Sequence, residues 1–284
     1  MDKDNRYSLG LYEKALPKGL PFDRMLHMTK QFGFDRLELS IDESDARLAR
    51  LEWTAAQRSE IRAMMAQENV PIRTLCLSAH RRYPMGSLCA ATRLRAMDIM
   101  KKAIDLSAAL GISVIQLAGY DVFYEEDSVK TRDYFCENLA IAVQQAAAAG
   151  VVLAFETMET PFMDTVAKAM QYVRAINSPW LGIYPDIGNL QNAAVRYGSD
   201  FCNDLMTGSG HIFALHLKET RPGVYRNMRF GTGHTPYEDA LSCAAKMGVR
   251  MFTGEFWHQP DENFTAVIPN AAAFLREKLD SAFV

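Results

Sequence analysis

The sequence predicts an α/β fold: a single-domain (β/α)8 TIM barrel over residues 1–284. Three observations predict it. Short apolar runs rich in Val, Ile, Leu and Phe recur eight times, segments with helical spacing separate them, and glycines stand at several of the junctions. The runs lie at Ser8–Tyr12, Arg36–Ile41, Ile72–Ser78, Val114–Tyr120, Val151–Thr157, Leu181–Ile187, Ile212–Lys218 and Met251–Trp257. Their ends are spaced by roughly 30–40 residues, the length of a β–α repeat.

Between the runs, Thr54–Glu68 starts at a Thr cap, Thr92–Leu110 carries apolar residues at helical intervals, and Thr131–Ala149 is rich in Ala. Gly33, Gly111, Gly150 and Gly248 each fall between a helical pattern and the next strand, where a helix C-cap needs a left-handed residue. Thr235-Pro236-Tyr237-Glu238 reads as an N-cap Thr, a first-turn Pro and a capping-box Glu. Near-continuous apolar strands alternating with helices imply a parallel sheet covered on both faces. Eight units favour closure into a barrel. An open dinucleotide-binding sheet would want G-x-G-x-x-G after its first strand, and Gly10 and Gly19 do not make that pattern.

The 284 residues suit one barrel of about 250 residues plus short additions. No Pro- or Ser-rich linker divides the chain, and 49% apolar residues supply a large core. The net charge of −3 argues against a general nucleic-acid binder, whose footprint is a basic face. Neither a signal-type apolar segment at Met1–Arg6 nor a membrane-spanning run is present, so the expectation is a soluble cytoplasmic protein with no membrane partner. Cys76, Cys89, Cys136, Cys202 and Cys243 are odd in number and widely spaced, with no C-x-x-C pair, and read as reduced thiols.

Barrel enzymes carry their chemistry at the C-terminal ends of the strands. The fifth strand ends in Ala154-Phe155-Glu156, the sixth in Tyr184-Pro185-Asp186, the seventh in Leu215-His216-Leu217-Lys218 and the eighth in Gly254-Glu255-Phe256. Four successive strands thus bring Glu156, Asp186, His216 and Glu255 to one rim. A single such carboxylate could be half of an ion pair. Three around one point would repel each other unless a cation sat among them. Three oxygens and one nitrogen suit one divalent metal ion (Mn, Mg, Zn or Co) without choosing between them.

His211 precedes the seventh strand by five residues, which puts it roughly 16 Å nearer the opposite end at ~3.3 Å per residue, so it reads as structural. His27 and His258 read as surface or packing residues. Two further clusters are basic. Ser78-Ala79-His80-Arg81-Arg82 follows the third strand, and Lys218, Arg221, Arg226 and Arg229 follow the seventh. Any one of these can be a solvated surface charge. Two basic loops opening on one rim point to an anionic substrate group, with a phosphate the best fit.

Leu9-Gly10-Leu11-Tyr12-Glu13-Lys14-Ala15-Leu16-Pro17, Ser78–Arg82, Val114–Asp121, Tyr184–Asn189 and His216-Leu217-Lys218-Glu219-Thr220-Arg221-Pro222-Gly223-Val224 together resemble the bacterial L-ribulose-5-phosphate (L-xylulose-5-phosphate) 3-epimerases of the xylose-isomerase-like superfamily. The resemblance runs in order along nearly the whole chain. It implies metal ligands at Glu156, Asp186, His216 and Glu255, a small phosphorylated ketose as substrate, and a role in pentose catabolism downstream of L-ascorbate or related sugars. It also leans toward a homodimer. The related free-ketose 3-epimerases carry His three residues after the metal Asp, where this chain has Asn189, and that favours the phosphate-using branch. That branch often shows Gly-Glu-Gly after the seventh strand, where this chain has Gly231-Thr232-Gly233.

The implied chemistry takes the C3 proton from one face of a 2-ketose and returns one to the other, with Glu156 and Glu255 as the two acid/base residues. The candidate substrate-binding residues are His80, Arg81, Asn189, Lys218 and Arg221. The rival enzyme readings are a ketose–aldose isomerase, an epimerase of a hexulose phosphate, and a metal-dependent abasic-site endonuclease. The last needs more ligands than this rim offers, and a DNA surface. A non-enzymatic sugar-phosphate-binding protein would not need both glutamates.

Overall fold

The computed structural model describes residues 6–283. The Met1–Asn5 stretch, read above for a signal segment, lies outside the described residues, as does Val284. The chain runs β1 (Ser8–Tyr12), α1 (Phe22–Gln31), β2 (Arg36–Ile41), α2 (Asp45–Leu48), α3 (Ala55–Glu68), β3 (Ile72–Leu77), α4 (Ala90–Leu110), β4 (Val114–Ala118), α5 (Val129–Ala149), β5 (Val152–Glu156), α6 (Val166–Ile176), β6 (Leu181–Ile183), α7 (Ile187–Tyr197), α8 (Phe201–Met206), β7 (Leu215–Leu217), α9 (Tyr237–Lys246), β8 (Met251–Gly254) and α10 (Phe264–Ala282). The strand order is β6-β5-β4-β3-β2-β1-β8-β7, and neighbouring strands pair in parallel.

β6 and β7 close the ring through isolated parallel bridges, Ile183 with Ile212 and Asp186 with His216. Both strands are shorter than their apolar runs predict. Pro185 has no N–H to give to a ladder, so regular pairing stops before it. Its carbonyl still accepts from His216 N at 2.9 Å. Gly182 permits the close approach: a Cβ there would lie 2.5 Å from the His211 carbonyl oxygen and collide with the Phe213 ring.

Alternation along each strand sends one set of side chains into the barrel and the other against the helices. Leu9, Leu11, Leu37, Leu39, Leu75, Leu153 and Phe252 are wholly buried. Each such side chain contributes roughly 1.5–3 kcal/mol by leaving water. The helix termini follow the sequence chemistry in most places. Thr54 and Gln57 form a reciprocal capping box at the start of α3. Gly111 and Gly150 take the left-handed conformation that ends α4 and α5. The expected capping box at Thr235 does not form. Pro236 precedes α9 without a side-chain cap, the Thr235 hydroxyl donates to Lys218 O at 3.0 Å, and Glu238 pairs with Lys278. Thr235 is spent on anchoring the loop after β7, so it is not free to cap the helix.

Candidate metal and substrate site

Glu156 ends β5, Asp186 follows β6, His216 lies within β7, and Glu255 follows β8. Parallel pairing puts these ends side by side. One ligand atom from each of the four lies within 4.8 Å of all the others. Asp186 and His216 are wholly buried, and Glu156 and Glu255 are 6% exposed. Asp186 also caps α7: its Oδ1 accepts from Asn189 N at 2.7 Å. That bond fixes the carboxylate and leaves Oδ2 facing the cluster. Among the described residues, Asp186 Oδ2 and Glu255 Oε2 are buried without a hydrogen-bond partner. The Lys218 ammonium lies 3.3 Å from each.

The electrostatics are those of crowded anions. Burial, then Glu255, push the Glu156 carboxyl up. Burial pushes Asp186 well above the carboxylate range, although Lys218 opposes it. Burial also works to raise Glu255, but Lys218 and His216 outweigh it and hold that carboxyl well below its usual value. For His216 burial favours the neutral ring, and Glu38 with Glu255 outweigh burial and raise it well above the ordinary imidazole value. Two glutamates of one cluster are therefore driven apart, a pattern typical of acid/base pairs. Buried oxygens without partners, mutual repulsion and a nearby imidazole nitrogen together fit a divalent cation, whose charge would pull the carboxylates down.

Above the cluster is an open mouth. Glu156, Glu255 and Lys218 form its floor, and Tyr12, Met158 and Trp257 stand among its walls. Lys14, Arg81 and Arg226 line it as well. Lys14 pairs with Asp42 at 2.7 Å, Arg226 reaches Glu159 at 3.4 Å, and the Arg81 guanidinium lies 4.6 Å from the Phe123 ring centre. Asp186 and His216 do not line the mouth. They sit beneath it.

The structure brings together all four expected ligands, and it places Arg81 and Lys218 on the mouth. His80, Asn189 and Arg221 lie elsewhere, bound to the chain itself. His80 is buried with Nε2 3.1 Å from Ala96 O in α4. Asn189 is wholly buried, and its Nδ2 donates to Thr157 O at 2.7 Å. Arg221 donates to Thr232 O at 3.0 and 2.6 Å on the outer loop. Arg229 pairs with Glu262. His211 and His27 are exposed, and the His258 ring packs edge-on against Phe264. The sequence reading missed Glu38, Arg36 and Tyr184, which form a polar layer directly under His216. A signal was available: Arg36 and Glu38 are two charges at strand spacing in an otherwise apolar run, so both must face the same side of β2.

Burial holds the His80 imidazole down, to about 4. The folded protein therefore carries it neutral, while the unfolded chain takes up a proton below about 6.5. The stability this confers is complete above pH 6.5 and is lost as pH falls toward 4. The loss is about 3 kcal/mol from this group alone. Urea unfolding at pH 7 and pH 4.5 should show a smaller decline for His80→Gln than for the parent chain. An equal decline would rule the histidine out as its source.

The fold and site together define an α/β barrel enzyme scaffold with a buried cluster of three carboxylates and one imidazole at its C-terminal rim, a donor set that fits a cation. A family model described as "xylose isomerase-like TIM barrel" matches residues 26–278. The L-ribulose-5-phosphate 3-epimerase UlaE of Salmonella paratyphi C (strain RKS4594) is 42% identical over 278 residues, covering 96% of this chain and 95% of that one. Its namesake from Salmonella paratyphi A is 41% identical over 275 residues, with the same coverage. The chain belongs to the xylose isomerase-like TIM barrel family and, within it, groups with these 3-epimerases, which are isomerases. Solved structures agree on the fold. A D-tagatose 3-epimerase-like protein superposes with a TM-score of 0.79 at 15% identity, covering 97% of this chain and 98% of that one. An L-ribulose 3-epimerase gives 0.76 at 18% identity, covering 97% and 95%.

Proposed function

We propose that this chain interconverts L-ribulose 5-phosphate and L-xylulose 5-phosphate by inverting C3. The observation that carries the reading is the split within the cluster. Glu156 and Glu255 come from opposite sides of the β6–β7 pair and face the mouth, while Asp186 and His216 lie underneath. One glutamate removes the C3 proton. The electrons of that C–H bond form the C2–C3 double bond of an enediolate, and the C2 carbonyl takes up the negative charge. The other glutamate gives a proton to the opposite face of C3, and the carbonyl re-forms. The reverse reaction exchanges the two roles. Lys218, between Asp186 and Glu255, donates hydrogen bonds to the substrate oxygens. A divalent cation held by Glu156, Asp186, His216 and Glu255 would supply Lewis acidity toward the developing oxyanion.

Arg81, Arg226 and Lys14 receive the phosphate at the mouth. Their positive charge draws in an anionic ketose despite the net negative charge of the chain. The donor set admits Mn, Mg, Co or Zn.

The test is epimerisation of L-ribulose 5-phosphate in D₂O by metal-loaded protein, followed by NMR. The expected product is L-xylulose 5-phosphate with deuterium at C3 and none at C1. Deuterium at C1 would mark an aldose–ketose isomerase, and binding without turnover would mark a sugar-phosphate-binding protein.

A further inference from the structure

Beneath the site, β2 turns Arg36 and Glu38 into the barrel, where both are buried. Glu38 Oε1 lies 2.6 Å from His216 Nε2, and Glu38 Oε2 accepts from the Tyr184 hydroxyl at 2.8 Å. With Oε2 already accepting from the phenol, Glu38 meets the imidazole as an acceptor, and Nε2–H is the donor in the short contact. When the ring gives up one proton to take a cation, the nitrogen left bare is therefore Nδ1. This nitrogen turns its lone pair to the other side of the ring, where Glu255 Oε2 is 3.3 Å and Glu156 Oε1 3.6 Å away. Gln116 Nε2 is nearly equidistant from the two ring nitrogens, at 3.1 and 3.2 Å, and so lies along neither in-plane lone pair. The Tyr184 ring packs edge-on against the imidazole, with centroids 4.9 Å apart, and blocks rotation.

We infer that Glu38 is a positioning residue that fixes His216 in the tautomer and orientation presenting Nδ1 to the cation, and strengthens it as a donor. The affinity of the site thus depends on a group that touches neither cation nor substrate, a role that buried carboxylates behind ligating imidazoles commonly play. Arg36 is buried two residues before Glu38 on the same face of β2. It is anchored by Thr74 Oγ1 at 2.9 Å, Phe252 O at 2.7 Å and Thr253 Oγ1 at 2.9 Å. The inference rests on reading the four-residue cluster as a cation site, but not on the substrate.

The experiment titrates chelator-treated full-length protein with Co²⁺, following the visible d–d absorption, and with Zn²⁺ in competition with a chromophoric chelator. Glu38→Gln is expected to weaken binding about 10–100-fold and to alter the cobalt spectrum. Tyr184→Phe removes one of the bonds to Glu38 without leaving Arg36 unopposed, and is expected to weaken binding several-fold. A folded Glu38→Gln variant with the parent's affinity and spectrum overturns the inference. If Glu38→Gln does not fold, Tyr184→Phe with unchanged affinity and spectrum overturns it. A parent chain that binds neither ion overturns the cation site itself, which is a separate result.

Discussion

Glu156→Gln and Glu255→Gln are each expected to lower the rate of epimerisation by at least about a thousandfold, while each retains half of the proton chemistry. Glutamine keeps the size of the side chain and one oxygen that can face a cation, but it cannot accept the C3 proton. If the two glutamates serve opposite faces of C3, each variant still has one working base. Each should then exchange the C3 hydrogen of one epimer with D₂O and leave the other epimer untouched. The two variants should show opposite preferences. NMR of each epimer with each variant reads this directly, independently of net turnover. A variant that epimerises at near the parent rate breaks the two-base scheme. Loss of exchange from both epimers in both variants would instead mean that the glutamates only hold the cation.

Removing divalent cations is expected to have an effect of similar size. Chelation should abolish turnover, and adding back a divalent ion should restore it. It should also destabilise the fold. An ion at a hundred times its dissociation constant stabilises the native state by about 2.7 kcal/mol, and its removal leaves Glu156, Asp186 and Glu255 repelling one another in a buried site. Thermal melts with and without chelator, run beside activity assays, check both halves. Unchanged activity in cation-free protein would leave Lys218 and the protonated His216 to balance the cluster, and would remove the Lewis-acid part of the proposed mechanism.

How much of this was legible in the sequence differs from element to element. The first two strands match the apolar runs residue for residue, because their alternation and the flanking turns are local signals. β6 and β7 shrink to three residues each, because pairing at Pro185 is decided by the partner strand and not by apolarity. The Thr235 cap failed for the same kind of reason: a tertiary hydrogen bond to the Lys218 carbonyl competes for a hydroxyl that local rules assign to the helix. Arg36 and Glu38 went unnoticed because a charged pair within a strand reads locally as an edge or an ion pair.

The barrel and the four residues of the buried cluster are legible in the chain alone. Both follow from a repeated β–α period and from polar residues breaking apolar runs at the same end of successive strands. The folded barrel settles that Glu156 and Glu255 face the mouth while Asp186 and His216 lie below, and that Arg81 and Lys218 reach it while His80, Asn189 and Arg221 do not. It alone revealed Glu38 beneath His216, 178 positions apart in the chain. These outcomes depend on which way a side chain points after the ring closes. That direction is set by strand stagger and by competing hydrogen bonds from residues far away in sequence, and no local pattern encodes it.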